Sequence, residues 1–158
     1  MTARQPIRVL FVCVGNSCRS IMAEALLRQH GQPDFEVSSA GTEPKGLNPR
    51  TMALLEEVGI DASWARSKSV DEFIGDSFDH VITLCDEARE ACPYFPGGGE
   101  YDHWSYPDPA EAAGSEDEIM AAYRHTFAEI AERVGLFIPL ARRERDEAEL
   151  VGAPGASY

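Results

Sequence analysis

Six β-favouring residues, Ile7-Arg8-Val9-Leu10-Phe11-Val12, run without a break into Cys13-Val14-Gly15-Asn16-Ser17-Cys18-Arg19-Ser20, after which Ile21, Met22, Ala25 and Leu26 recur at helical spacing. An uninterrupted apolar strand suits a parallel sheet covered on both faces, and the polar, glycine-containing stretch behind it reads as a tight loop feeding a helix. Gly31 supplies a helix stop. A strand, a short loop and a helix in that order are the first unit of an α/β sheet.

The alternation continues. Phe35 to Ala40 is a second short strand closed by Gly41, and Asn48-Pro49 opens a helix that ends at Gly59, with proline in its first turn and glycine past its end. Phe78 to Leu84 predicts a third buried strand and Tyr101 to Trp104 a brief fourth. Ser115 to Glu118 forms a capping box, from which Ile119, Tyr123, Phe127, Ile130, Val134 and Phe137 repeat at gaps of three and four. Beyond Ala141 the charged run Arg142-Arg143-Glu144-Arg145-Asp146-Glu147 leads into Val151 to Gly155. Residues 1–140 are therefore expected to form one domain and 141–158 a flexible tail. The expected fold is an open α/β sheet of parallel strands with right-handed crossovers, in which ligands sit at the carboxyl ends of the strands. Cys13, Cys85 and the Tyr106 to Ala110 segment would share that rim.

Charge narrows the function. Fourteen Lys plus Arg against 27 Asp plus Glu leave 158 residues with a net charge of -13, which repels nucleic acid and anionic membranes. No apolar run reaches the roughly 20 residues needed to span a bilayer. Met1 to Val12 has a short apolar stretch and no small-residue cleavage pattern, so a cytoplasmic, monomeric chain is expected. In a reducing compartment the four cysteines Cys13, Cys18, Cys85 and Cys92 point to catalysis or redox chemistry. No cysteine pair has zinc-knuckle spacing and His30, His80, His103 and His125 are scattered, so no metal is expected.

An anionic substrate would have to be held by a local array of donors. Between Cys13 and Arg19 lie five residues, enough to wrap backbone N–H groups around a tetrahedral oxyanion, with a helix N-terminus behind them and the guanidinium fork clamping two oxygens. The expected oxyanion cradle is Val14, Gly15, Asn16, Ser17, Cys18, Arg19 and Ser20. The same donors favour the thiolate, which makes Cys13 a nucleophile. Gly15 and Asn16 suit positive φ, and the Ser17 and Ser20 hydroxyls can donate to sulfur or anion. Cys18 is read as a packing thiol.

Cys85 and Cys92 stand seven positions apart in a polar, helix-compatible segment. A disulfide needs Cα atoms within about 7 Å, whereas two helical turns separate them by roughly 10 Å. Bridging would require the segment to bend or unwind, which makes it a candidate redox switch.

The loop Cys13–Ser20, Ser39-Ala40-Gly41, Asn48-Pro49, Thr83-Leu84-Cys85 with Cys92-Pro93, and His103-Trp104 with Asp108-Pro109-Ala110 together resemble the arsenate reductases built on the low-molecular-weight protein tyrosine phosphatase fold, in particular the thioredoxin-coupled branch. The resemblance covers about residues 6–138. It implies a flavodoxin-like three-layer domain with a four-stranded parallel sheet flanked by helices. It further implies that Cys13 attacks arsenate, Arg19 and the loop amides stabilise charge, Asp108 acts as general acid, and oxidation passes from Cys13 to Cys85 to Cys92. Electrons would come from thioredoxin, or from glutaredoxin or a small thiol, with no bound cofactor.

Some members of this branch hold a monovalent cation beside the loop. Asn16, Glu24 and Ser39 match that pattern, but Lys68 stands where an acid is expected, so its ammonium is predicted to replace the cation and pair with Glu24. Two rivals share the same loop. A phosphotyrosine phosphatase would leave Cys85 and Cys92 idle and lacks aromatic walls in Thr42 to Asn48; an oxyanion- or redox-sensing module would turn over nothing. Weak phosphatase turnover fits as a side activity, because arsenate and phosphate share shape and charge.

Overall fold

The computed structural model describes residues 4–151. Four parallel strands, β1 (Ile7–Cys13), β2 (Phe35–Gly41), β3 (His80–Thr83) and β4 (Glu100–His103), form one sheet in the order β2-β1-β3-β4. Helices α1 (Arg19–His30), α2 (Pro49–Glu57), α3 (Asp86–Ala91) and α4 (Glu116–Leu150) flank it. The strand order reverses between β1 and β3, and the crevice beyond their carboxyl ends is where open α/β sheets bind ligands.

Local chemistry accounts for the elements. Every residue of β1 except Arg8 is buried, as a central strand covered on both faces requires. Asn48 caps α2 by accepting from the Arg50 and Thr51 amides, with Pro49 in the first turn. Ser115 and Glu118 close a reciprocal capping box at α4. Helix α1 is buried without interruption from Ser20 to Leu27, since it is packed against both the sheet and α4. β4 is the edge strand, and its exposed Glu100, Tyr101 and Asp102 discourage further pairing. Phe137 of α4 ties the sheet together, its ring lying 6.0 Å from Phe35, 5.0 Å from His80 and 5.7 Å from Trp104.

The charged run after Ala141 is not a tail. Helix α4 continues through it to Leu150, with Ala141 buried, Arg142 and Arg145 paired with Asp34 at 2.7 and 3.1 Å, and Arg4 paired with Asp146 and Glu149. These partners lie more than a hundred positions away in sequence, so the run reads as solvated charge until the fold supplies them. Residues 152–158 of the expected tail lie outside the described residues.

Candidate active site

The Cys13–Ser20 loop is fixed from outside by the extended segment that follows β2. Thr42, Glu43, Lys45 and Asn48 donate their amides to the carbonyls of Cys13, Val14, Gly15 and Ser17 at 2.8–3.1 Å. Because a trans peptide holds C=O and N–H in opposite directions, these outward carbonyls turn the amides of Val14, Gly15, Asn16 and Cys18 to the concave side. One of those amides already meets sulfur: Asn16 N–H donates to Cys13 Sγ at 3.2 Å. The curl is turned by Asn16 at φ 46°; Gly15, expected to share that role, is not among the positive-φ residues. Gly41, a residue to which the sequence assigned no site role, is what lets β2 approach, since a Cβ there would sit 2.5 Å from the Val14 carbonyl oxygen and 2.9 Å from Asn16 N.

Cys13 is buried, and its Sγ lies 2.9 Å from Ser20 Oγ. Asn16 Nδ2 donates to Ser20 Oγ at 2.8 Å and to Ser39 Oγ at 2.9 Å, and Ser39 in turn donates to Glu24 Oε1 at 2.6 Å. Ser20 Oγ accepts from Asn16, and when Cys13 is a thiolate the Ser20 hydroxyl is the donor between them. A chain of hydrogen bonds therefore runs from Glu24 to the Cys13 sulfur through side chains that are all buried.

Glu24 does not pair with Lys68. Its second oxygen accepts from Arg28 Nε at 2.8 Å, one helical turn on, while Lys68 Nζ donates to the Arg66 carbonyl at 3.0 Å and its backbone N–H to Asn16 Oδ1 at 2.9 Å. The i,i+4 geometry of α1 gives Arg28 the shorter reach. Lys68 is nonetheless buried near Glu24; burial pulls its ammonium below the ordinary lysine range and Glu24 opposes that shift.

Across the cradle, Arg19 Nη1 donates to the Tyr106 carbonyl at 2.8 Å and Nη2 lies 3.7 Å from Asp108 Oδ2. Asp108 starts a 3-10 turn (Pro109–Glu111), accepting from the Ala110 amide, and its side chain is one-third exposed. The sequence-predicted guanidinium and acid thus face the same space. Cys18 is buried, and burial pushes its thiol up to about 12, so it remains a protonated packing group.

Cys85 and Cys92 bracket α3 as its two caps. Cys85 lies on the loop: burial raises its pKa, while the Ala88 amide, the Arg19 charge and the Val14 amide work in the other direction. Cys92 is half-buried, its thiol pushed up to about 11 by burial, and it opens on a cleft of about 160 Å³ lined by Arg89, Tyr94, Tyr101 and His103. One residue outside the expected site joins these parts. His103 Nε2 is 2.9 Å from Asp86 Oδ1, and Nδ1 is 2.7 Å from Thr83 Oγ1, which latches the start of α3 to β3 and β4. His103 stood in the sequence only as a neighbour of Trp104, because nothing in the spacing of 83, 86 and 103 shows that strand pairing brings them together.

This geometry belongs to a known class. The sequence profile of the family described as low molecular weight phosphotyrosine protein phosphatase matches residues 8–147, and the chain belongs to that family. An arsenate reductase of Bacillus licheniformis is 42% identical over 129 residues, covering 82% of this chain and 93% of that one. A solved arsenate reductase in the phosphate binding state superposes with a TM-score of 0.69 at 31% identity, over 84% of this chain and 97% of that one. A thioredoxin-dependent arsenate reductase of Corynebacterium glutamicum gives a TM-score of 0.60 at 30% identity, over 85% of this chain and 65% of that one.

Proposed function

We propose that the chain is an arsenate reductase that works by a relay of three cysteines and draws its electrons from thioredoxin. The observation that carries this reading is the approach of a second thiol to the loop: Cys13 sits at the centre of the cradle, and Cys85 is near enough for the Arg19 charge and the Val14 amide to act on its sulfur. A phosphatase needs only the first of them.

Arsenate binds as an oxyanion against the inward amides of Val14–Ser20, and Arg19 exchanges its Tyr106 carbonyl for two arsenate oxygens. Cys13 thiolate attacks arsenic. Asp108 hands a proton to the departing oxygen, which leaves as water, and a Cys13 S–As bond is formed. Cys85 thiolate then attacks Cys13 Sγ. The S–As bond breaks, its electron pair reduces As(V) to As(III), and arsenite departs from a Cys13–Cys85 disulfide. Cys92 attacks Cys85 Sγ, Cys13 leaves as thiolate, and the oxidation rests in a Cys85–Cys92 disulfide. A dithiol donor reduces that bond. The exposed Tyr94, tilted against Tyr101 with ring centroids 5.1 Å apart beside Cys92, offers thioredoxin an apolar docking face.

In the reduced protein α3 separates the last two thiols by seven residues, roughly 10 Å of helix. The Cys92 step therefore requires α3 to unwind, which also brings Cys92 out of the environment that keeps it protonated. Arsenate-dependent NADPH oxidation with thioredoxin and thioredoxin reductase tests the whole scheme. Cys13→Ser, Cys85→Ser and Cys92→Ser should each abolish turnover. Full activity of Cys92→Ser with glutathione and glutaredoxin would replace the final step, and phosphate-ester hydrolysis that outpaces arsenate reduction would replace the reading.

A further inference from the structure

At the rim of the sheet opposite Cys13, strand register sets His80 beside Glu100, so their side chains leave the same face as direct neighbours. Helix α4 crosses this end of the sheet. Its Phe137 meets the His80 ring edge-on at 5.0 Å, and Glu144, seven residues further along the same helix face, comes down next to Glu100. His80 Nδ1 and one carboxylate oxygen from each glutamate all lie within 4.8 Å of one another.

The imidazole of this cluster is left unsatisfied. His80 Nδ1 is 3.8 Å from Glu100 Oε2, beyond hydrogen-bond reach, and has no hydrogen-bond partner among the described residues, although its side chain is only 8% exposed. A buried imidazole nitrogen beside two carboxylates and without a hydrogen-bond partner calls for a ligand of its own. Glu100 and Glu144 crowd two carboxylates beside that nitrogen. A cation between them relieves that crowding.

We propose that His80 Nδ1, Glu100 and Glu144 bind a divalent first-row transition-metal ion, with Zn²⁺ the best match and water completing the coordination. An imidazole ligand selects zinc, cobalt or nickel over magnesium and calcium, which prefer all-oxygen sites. Zinc–ligand bonds of about 2.0–2.2 Å place tetrahedral ligand atoms about 3.4 Å apart, so separations of up to 4.8 Å must contract by about 1.4 Å at most. Glu100, with a side chain 64% exposed, is free to make that movement. The net charge of -13 concentrates cations at such a site. Spacing of 80, 100 and 144 hides the cluster from the sequence, where the histidines look scattered and Glu144 falls in the expected tail. The bound ion joins the starts of β3 and β4 to the last turns of α4, far from the cysteine relay.

Cobalt(II) titration of the full-length protein, followed by visible absorption, tests the site. One equivalent is expected to bind with weak d–d bands and no sulfur charge-transfer band, to be displaced by Zn²⁺, and to raise the thermal midpoint. The same titration should persist in the Cys13→Ser/Cys85→Ser/Cys92→Ser triple variant, which removes those thiols as competitors. Glu100→Gln and Glu144→Gln, both at surface-accessible positions, should each weaken binding at least tenfold. His80→Gln should abolish it; because His80 is a core residue, the two glutamate variants decide the matter if that chain does not fold. No binding at millimolar Co²⁺, binding only through sulfur, or equal affinity in wild type and Glu144→Gln would overturn the proposal.

Discussion

Ser20 Oγ stands 2.9 Å from Cys13 Sγ while accepting from Asn16 Nδ2, so once Cys13 is ionised the Ser20 hydroxyl is the donor to its sulfur. A donor held this way favours the thiolate over the thiol. One hydrogen bond to a charged group is worth about 1.5 kcal/mol or more, roughly tenfold in an equilibrium. Ser20→Ala should therefore slow alkylation of Cys13 by iodoacetamide at pH 7 about tenfold, with an unchanged circular dichroism spectrum. An unaltered alkylation rate would mean that the loop amides alone hold the charge.

Glycine substitutions should separate the two glycines that meet at the cradle. A Cβ at Gly41 would meet backbone, 2.5 Å from the Val14 oxygen, whereas a Cβ at Gly15 would meet the side chains of Ser17 and Lys45 at 3.2 and 3.3 Å. Side chains can yield; the backbone of the cradle cannot do so without losing its shape. Gly41→Ala is expected to cost about 1–3 kcal/mol and to weaken phosphate binding more than tenfold, measured by calorimetry. Gly15→Ala should leave both within about half that effect.

The His103 latch predicts a local change. His103→Gln removes the bridge between Asp86 and Thr83, at a cost of about 1 kcal/mol to the folded form of α3. Hydrogen exchange should quicken at the amides of α3 while those of β1 stay protected, and Cys92 should alkylate faster. Exchange that quickens equally throughout the sheet would show that the latch supports the whole fold.

Burial sets the pH dependence of the last exchange. With its thiol pushed up to about 11, Cys92 holds only about one thiolate in 10⁴ at pH 7, so a rate limited by that population rises about tenfold per pH unit. Single-turnover formation of the Cys85–Cys92 disulfide, read by mass spectrometry between pH 7 and 9, should follow that slope. A rise that levels off near pH 8.5, the ordinary cysteine value, would show that α3 unwinds before the proton leaves.

Asp34 anchors the end of α4. Its carboxyl is held below its ordinary value of 3.8, chiefly by Arg145 and then by Arg142. A carboxyl with a folded pKa below its unfolded one adds stability above the unfolded value and loses it as pH falls through the folded one. Asp34→Asn should cost about 1 kcal/mol at pH 7 in urea unfolding, and the difference from wild type should vanish in strong acid.

Much of this was written locally. The apolar strand into Cys13, the asparagine-proline start of α2 and the serine-glutamate box of α4 are short-range features, decided by propensity, capping and period over a few residues. The Cys13–Arg19 spacing likewise fixes a loop wide enough for an oxyanion, since backbone amides need no distant partner to point inward once the chain curls. Ionic partners were another matter. Arg28 displaced Lys68 at Glu24, and Arg4 and Asp34 turned an apparent tail into the last turns of a helix of 35 residues.

The amino-acid sequence alone determined the order of the elements and where along them the cysteines, Arg19 and Asp108 fall, because these depend on neighbours in the chain. Only the tertiary structure decided what those residues touch. Strand register brought His103 to Asp86 and His80 to Glu100, and the packing of α4 added Glu144 to the latter pair. Contacts of that kind are fixed by the burial of whole faces, which no local stretch of sequence contains.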